Sequence, residues 1–362
     1  MRSNQVQITM ASRLNSAMLD SQKELANAIA VLSELPPLEN SSLKAEVVLT
    51  LDKMRLLHFK QSGRRRQPPL IVCYALVNRP TILDLAPDRS LIQDLRAKGR
   101  DIYLIDWGYP DLCDRHIGLD DYIGDYLESI VQCVLDRTKF DQVDLMGICQ
   151  GGVFALAYAS LNPERVRKLV TLVTPVDTDV EGFTLSDMVR ETNIEQLVEA
   201  YGNLPGEFLN QIYAALKPLQ LGVIKEMGLS RSIQDPSSAE LFLRMEEWIN
   251  DSPDLAGRAA IEFAETFFKG NGLLKGSFHV DSKAVDLTNI RSPILNIFGT
   301  KDHLVPPASS QSLKEAIDPK THYQELPLPA GHIGAFISDR CRGKVIDAIE
   351  LHLNGSAFKQ SS

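Results

Sequence analysis

Apolar positions along the chain fall into three regimes, each with its own period. Residues 9 to 33 place Leu14, Met18, Leu25, Ile29 and Leu32 at three-, four- and seven-residue intervals, with Asp20, Lys23 and Glu24 between them. That spacing predicts an amphipathic helix stopped by Pro36-Pro37. The economical expectation is a helix packed on its own core; the alternative is an arm for a partner or a second copy. From Glu46 short β-rich runs take over. Val47-Val48-Leu49 and Met54-Arg55-Leu56-Leu57, separated by Asp52-Lys53, predict a hairpin, and the run Leu70 to Val77 predicts a buried strand. A helix around Leu91 to Lys98, a strand from Ile102 to Ile105 and a long helix from about Asp120 to Arg137 come after it. Next are a strand from Val143 to Met146, a helix from Gly152 to about Leu161, and a strand from Lys168 to Val173. Helices alternating with short apolar strands predict an α/β fold, its mostly parallel sheet covered by helices on both faces.

The alternation stops near Pro175 and resumes near Pro293. Between them lie helix-prone pieces such as Ile194 to Tyr201, Glu207 to Leu216 and Ala239 to Asn250, broken by Pro205, Pro218, Pro236 and Pro253. A helical insertion riding on the sheet is expected, and an insertion beside catalytic loops commonly acts as a lid. The strand pattern returns at Ile294 to Phe298 and Tyr323 to Leu326, with helices around Ser310 to Ala316 and Val345 to Leu353. The expected organisation is an N-terminal helical arm (1–45), a first core part (46–176), a cap insertion (177–290) and a second core part (291–362).

Composition narrows the function classes. Hydrophobic residues at 44% and charged residues at 23% of 362 are ordinary globular usage, which excludes wholesale disorder. Acidic residues outnumber basic ones, for a net charge of −9, and the one dense basic run, Arg64-Arg65-Arg66, adjoins Gln67-Pro68-Pro69 in an expected turn. No nucleic-acid partner is expected. Cys73, Cys113, Cys133, Cys149 and Cys341 are odd in number and lack CxxC spacing, no leader-like apolar stretch opens the chain, and no apolar run reaches the roughly 18 to 20 residues of a transmembrane segment. A reducing cytoplasm is the expected address. Metal and nucleotide motifs such as H-E-x-x-H and G-x-x-x-x-G-K-[ST] do not occur, so no metal is expected.

The segment richest in chemistry is Asp144-Leu145-Met146-Gly147-Ile148-Cys149-Gln150-Gly151-Gly152. It reads as a strand, a G-x-C-x-G turn and a helix. In the related serine motif the nucleophile sits on a tight strand-to-helix turn whose flanking glycines leave room that side chains would fill. Cys149 takes that position, with a helix N-terminus aimed at it that favours a thiolate and then an oxyanion. An elbow needs an acid and a histidine on later loops, in that chain order. Gly299-Thr300-Lys301-Asp302-His303 and Ala330-Gly331-His332-Ile333-Gly334 each follow a predicted strand, where open α/β sheets build sites. His332 is the expected base and Asp302 its orienting acid, while His303 is a candidate pocket residue. An oxyanion hole needs a second backbone N–H besides that of Gln150. Tyr74-Ala75-Leu76-Val77-Asn78-Arg79-Pro80 follows an early strand, so Val77 is expected to supply it, with Asn78 shaping the loop. The other four cysteines are assigned to packing or surface.

Taken together, Gly147-Ile148-Cys149-Gln150-Gly151-Gly152, Tyr103-Leu104-Ile105-Asp106-Trp107-Gly108, the Tyr74 to Pro80 loop, Asp302-His303-Leu304-Val305-Pro306 and Gly331-His332-Ile333-Gly334 closely resemble polyhydroxyalkanoate synthases. The match runs from about residue 45 to the end. Length and wording are similar to the short, two-subunit class III type, whose catalytic chain works with a separate partner subunit. The resemblance implies an α/β-hydrolase fold with a cap. It also implies polymerisation of short 3-hydroxyacyl-CoA thioesters, typically 3-hydroxybutyryl-CoA, into a polyester at a granule surface, with coenzyme A released. No cofactor is implied, the CoA thioester being substrate, and self-association into a homo-oligomer is expected. Elongation requires a 3-hydroxyl to attack a chain thioester, with His332 as base or Asp302 acting directly on the hydroxyl. Two rivals stand beside this reading. One is a cysteine-nucleophile hydrolase of esters, lactones or thioesters; the other is a noncatalytic granule scaffold, for which Cys149, Asp302 and His332 would be a coincidence.

Overall fold

The computed structural model describes residues 19–20, 22–35, 44–61, 67–216, 233 and 235–355. Its main sheet is built from β1 (Glu46–Leu51), β2 (Met54–Phe59), β3 (Leu70–Cys73), β4 (Ile102–Asp106), β5 (Val143–Ile148), β6 (Val166–Leu172), β7 (Ile294–Gly299) and β8 (Tyr323–Leu328). The strand order is β1-β2-β4-β3-β5-β6-β7-β8. The β1–β2 and β2–β4 pairs are antiparallel, and every pair from β4 to β8 is parallel. All residues of β3, β4, β5 and β7 are buried, which is why their sequences are mostly apolar instead of alternating, with Asp106, Asp144 and Asn296 as buried polar exceptions. At the sheet edge, β1 is largely exposed or half-buried.

Helices complete the layers around this sheet. Helix α1 (Leu91–Ala97) starts at Ser90, whose hydroxyl accepts from the Gln93 N–H. Helix α2 (Leu127–Thr138) is preceded by a π-helical turn, Asp120–Tyr126, where the apolar spacing predicts plain helix. Within that turn Tyr122 meets Trp107 edge-on at 5.2 Å and stacks on Phe154 at 6.3 Å. Helix α3 (Gln150–Leu161) is buried along nearly its whole length, consistent with its lack of an amphipathic pattern. The last helix spans Asp339–Leu353; it begins earlier than the Val345 suggested by apolar spacing because its first turn is polar, with Asp339 paired to Arg89.

The chain divides into two compact units, Ser41–Leu216 with Asn250–Ser362, and Met1–Asn40 with Lys217–Ile249. Within the larger unit, residues of the expected insertion form helices Thr184–Glu191, Ile194–Tyr201, Gly206–Ala215 and Gly257–Phe263, the last running into a π-helical turn, Ala264–Lys269. The sequence rhythm missed a small hairpin, His279–Val280 with Lys283–Ala284, whose strands are too short to carry a period. In the smaller unit, the helix at 22–34 and the helix Pro236–Asn250 are described. Ala28, Ile233 and Ala239 are buried there, with Val31, Leu32, Leu35 and Phe242 packed on them. Leu25 and Ile29, expected on the packed face, are exposed. Leu14, Met18 and the Arg64 to Arg66 run lie outside the described residues. Among the described residues no helix is long and apolar enough to cross a membrane.

Candidate active site

Strand β5 delivers the chain through Ile148 to Cys149, which takes φ 54° and ψ −124°, and α3 begins at the next residue. A residue with a β-carbon in this half of φ is strained by about 1–3 kcal/mol, and such strain persists only where the surroundings enforce it. Here the glycines do so. A Cβ on Gly147 would strike Gly152, the Gly151 carbonyl and Ala155, and one on Gly151 would strike the carbonyl oxygens of Cys73 and Tyr74. The Cys149 N–H donates to the Leu172 carbonyl at 2.9 Å, tying the elbow to β6. Cys149 is half-buried. Of the other cysteines, all free, Cys73 and Cys341 are buried, Cys113 is exposed and Cys133 half-buried; burial pushes the Cys73 thiol up.

Asp302 stands just past β7 and His332 just past β8, both buried. His332 Nδ1 donates to Asp302 Oδ2 at 2.7 Å. The other carboxylate oxygen accepts from the backbone N–H groups of Leu304 (2.9 Å) and Val305 (3.0 Å), so the loop itself aims the acid at the ring. With Nδ1 engaged, Nε2 is the nitrogen left for Cys149, whose charge acts on the ring. Burial pulls the imidazole pKa down, but the charges of Asp302 and Cys149 and the hydrogen bond to Asp302 outweigh it and carry His332 up to about 10. The structure therefore brings Cys149, His332 and Asp302 together, with His332 hydrogen-bonded to Asp302 and under the charge of Cys149. His303 is half-buried beside Asp302, whose carboxylate bonds go to His332, Leu304 and Val305.

The loop after β3 is held at several points. Trp107 Nε1 donates to the Tyr74 carbonyl at 2.9 Å, and the Leu76 N–H donates to Gln150 Oε1 at 2.9 Å. Asn78 turns the chain at φ 57°, a left-handed position that asparagine tolerates, and Arg79 is paired with Asp106 at 2.9 Å. Among the described residues the backbone N–H groups of Val77 and Gln150 donate no hydrogen bond within the chain. Those are the two amides expected for the oxyanion.

Sequence reasoning missed three neighbours. The phenols of Tyr74 and of Tyr213, on α4 (Gly206–Ala215), have their pKa values pushed up by burial first and then by the charge of Cys149. Tyr213 has no motif around it; its only sequence signal is an aromatic hydroxyl in an otherwise apolar helix face. Val173, at the end of β6, has φ 48°, a genuine outlier for a β-branched residue, and its N–H donates to the Ile297 carbonyl at 2.8 Å.

Comparison with known proteins fits this geometry. Residues 68–339 match the model of the alpha/beta hydrolase fold. The chain is 41% identical over 344 residues to the poly(3-hydroxyalkanoate) polymerase subunit PhaC of Thiocystis violacea, covering 94% of this chain and 97% of that one. It is also 41% identical to the subunit of the same name from Allochromatium vinosum, with the same coverage. Among solved structures, the putative non-heme bromoperoxidase BpoC of Mycobacterium tuberculosis superposes with a TM-score of 0.54 at 13% identity, covering 85% of this chain and 98% of that one, which speaks for the fold alone. The elbow, the strand order and the relatives converge, and the chain belongs to the poly(3-hydroxyalkanoate) polymerase family of the alpha/beta hydrolase fold.

Proposed function

We propose that this chain is the catalytic subunit of a polyhydroxyalkanoate synthase that polymerises short 3-hydroxyacyl-CoA thioesters, 3-hydroxybutyryl-CoA foremost, through a covalent thioester on Cys149. The observation that carries the reading is a half-buried cysteine on a strained elbow, beside a histidine that a carboxylate orients, in a chain of this family.

In loading, His332 holds the Cys149 proton on Nε2 while Sγ attacks the thioester carbonyl. The oxyanion that forms is met by the N–H groups of Val77 and Gln150, and as it collapses the carbon–sulfur bond to coenzyme A breaks, the departing thiolate taking the proton from His332. One thioester replaces another, so the step is nearly balanced in energy and the acyl group stays activated. In elongation a monomer 3-hydroxyl gives its proton to His332 as its oxygen attacks a chain thioester; an ester bond forms and the cysteine sulfur leaves. The thioester supplies the activation, so the chemistry calls for no cofactor. Water is the competing nucleophile, and the insertion is proposed to exclude it, with Tyr213 as its contribution near the sulfur.

A separate partner subunit, self-association and residence at a cytoplasmic polyester granule belong to the same proposal, supported by relatives that are named as subunits. The test is a product assay with 3-hydroxybutyryl-CoA. Insoluble polyester formed as coenzyme A is released is the expected result; free 3-hydroxybutyrate equal to the coenzyme A released would replace synthase by hydrolase.

A further inference from the structure

Gln150 does two different things in the same few ångströms. Its backbone N–H, at the first position of α3, makes no hydrogen bond within the chain, while its side chain, only 5% exposed, reaches back to accept the Leu76 N–H at 2.9 Å. These residues are 74 positions apart in sequence and lie just past the ends of the neighbouring strands β3 and β5. The contact decides which amide of the loop is spoken for. With Leu76 N–H capped by Gln150, and Tyr74 O capped by Trp107, the Tyr74–Ala75 and Ala75–Leu76 peptides are fixed in orientation, and the Val77 N–H, one peptide further on, donates no hydrogen bond within the chain.

From this geometry we infer that the Gln150 side chain is a positioning residue that locks the Tyr74–Pro80 loop so that Val77 and Gln150 present their N–H groups to one oxygen. The inference rests on the proposed thioester chemistry at Cys149 and goes beyond it by assigning the alignment of the hole to a side chain. Without the amide acceptor, the Leu76 N–H would be buried and unpaired unless the Ala75–Leu76 peptide rotated, and that rotation would shift the adjoining Leu76–Val77 peptide and with it the Val77 N–H that meets the oxyanion. Bond formation at carbonyl carbon needs that hole. Alkylation of the same sulfur does not, because no oxyanion forms.

That difference supplies the experiment. In the full-length Gln150→Met variant, close in length and volume but without the acceptor, the rate of Cys149 alkylation by iodoacetamide and the rate of its acylation by 3-hydroxybutyryl-CoA are compared with wild type. Alkylation is expected to stay within about twofold, while acylation falls about tenfold or more with KM little changed, approaching the loss that removal of a whole oxyanion donor brings. Gln150→Glu restores an acceptor for the Leu76 N–H, and its ratio of acylation to alkylation is expected to recover toward wild type. Equal loss of both rates in Gln150→Met, or no loss of acylation, would overturn the positioning role. A wild-type Cys149 that alkylates but is never acylated would overturn the proposed function itself, and this inference with it.

Discussion

The two ends of β5 each carry buried ionisable groups, and they are built differently. At its start Asp144 is fully buried against Arg167 at 2.6 Å, with Arg100 at 3.8 Å; Arg100 in turn makes a two-pronged contact with Glu350 of the last helix, α5 (Asp339–Leu353), at 2.7 and 3.0 Å. Just past the other end stand Cys149, His332 and Asp302. Titration is perturbed at both: burial pushes the Asp144 carboxyl up to about 6 against the pull of Arg167 and Arg100, and His332 is carried up to about 10. A shifted pKa by itself therefore marks no site. What separates the ends is the rest of the geometry. Asp144 lies inside a buried strand, where the register with β6 shifts, with its charge shared among arginines that join β5, β6 and α5. Cys149 lies on strained backbone, half-open, with two undonated amides beside it. One end is tied together; the other is held ready.

The largest effect expected from breaking this contrast is on chemistry at the open end. Cys149→Ala should lower polymer formation by at least about 10⁴-fold, as loss of a triad nucleophile does elsewhere, while leaving the thermal melt nearly unchanged. Coenzyme A release and melting curves on the same preparation check both halves. At the tied end the order reverses. Arg100→Met strands Glu350 in a largely buried place and should cost about 3–5 kcal/mol of stability, with the specific activity of the molecules that remain folded close to wild type. Denaturant titration beside an activity assay corrected for folded fraction reads this.

Much of the contrast was visible in the sequence, and the part that was not has a physical reason. The Gly147 to Gly152 spelling, with an acid and a histidine after later strands, is local and dictated by close approach, so the elbow, Asp302 and His332 could be located residue by residue. The central strands were legible because burial on both faces leaves mostly apolar runs without alternation. The Arg100–Glu350 pair was not, since its members are 250 positions apart and each resembles a surface charge in its own segment. Tyr213 was missed for a similar reason: its importance comes from the neighbour across space and not from its helix. The Gln150–Leu76 bond is the instructive intermediate, with both residues inside legible motifs and the bond between them invisible.

A smaller effect is expected from Gly151→Ala, which would press a methyl group onto the Cys73 and Tyr74 carbonyls. It should destabilise by about 1–3 kcal/mol, as overpacking does, and slow acylation by displacing the oxyanion loop. A pH effect is also expected at the site. The His332 pKa is raised from 6.5 to about 10 on folding, so the stabilisation that its charged form draws from Asp302 and Cys149 is complete below pH 6.5 and fades as pH rises through about 10. The stability difference between wild type and His332→Gln, measured by denaturant at pH 6, 8 and 10, should shrink in that order. A difference that grows with pH would mean the imidazole is neutral in the folded protein.

The central claim is a covalent acyl group on one sulfur, and it can be seen directly. Brief incubation with 3-hydroxybutyryl-CoA, acid quench and peptide mass spectrometry should find the hydroxybutyryl mass, or short multiples of it, on the peptide containing Cys149, and nowhere in Cys149→Ala. An enzyme that consumes the thioester while its Cys149 peptide stays unmodified at every quench time would contradict the account.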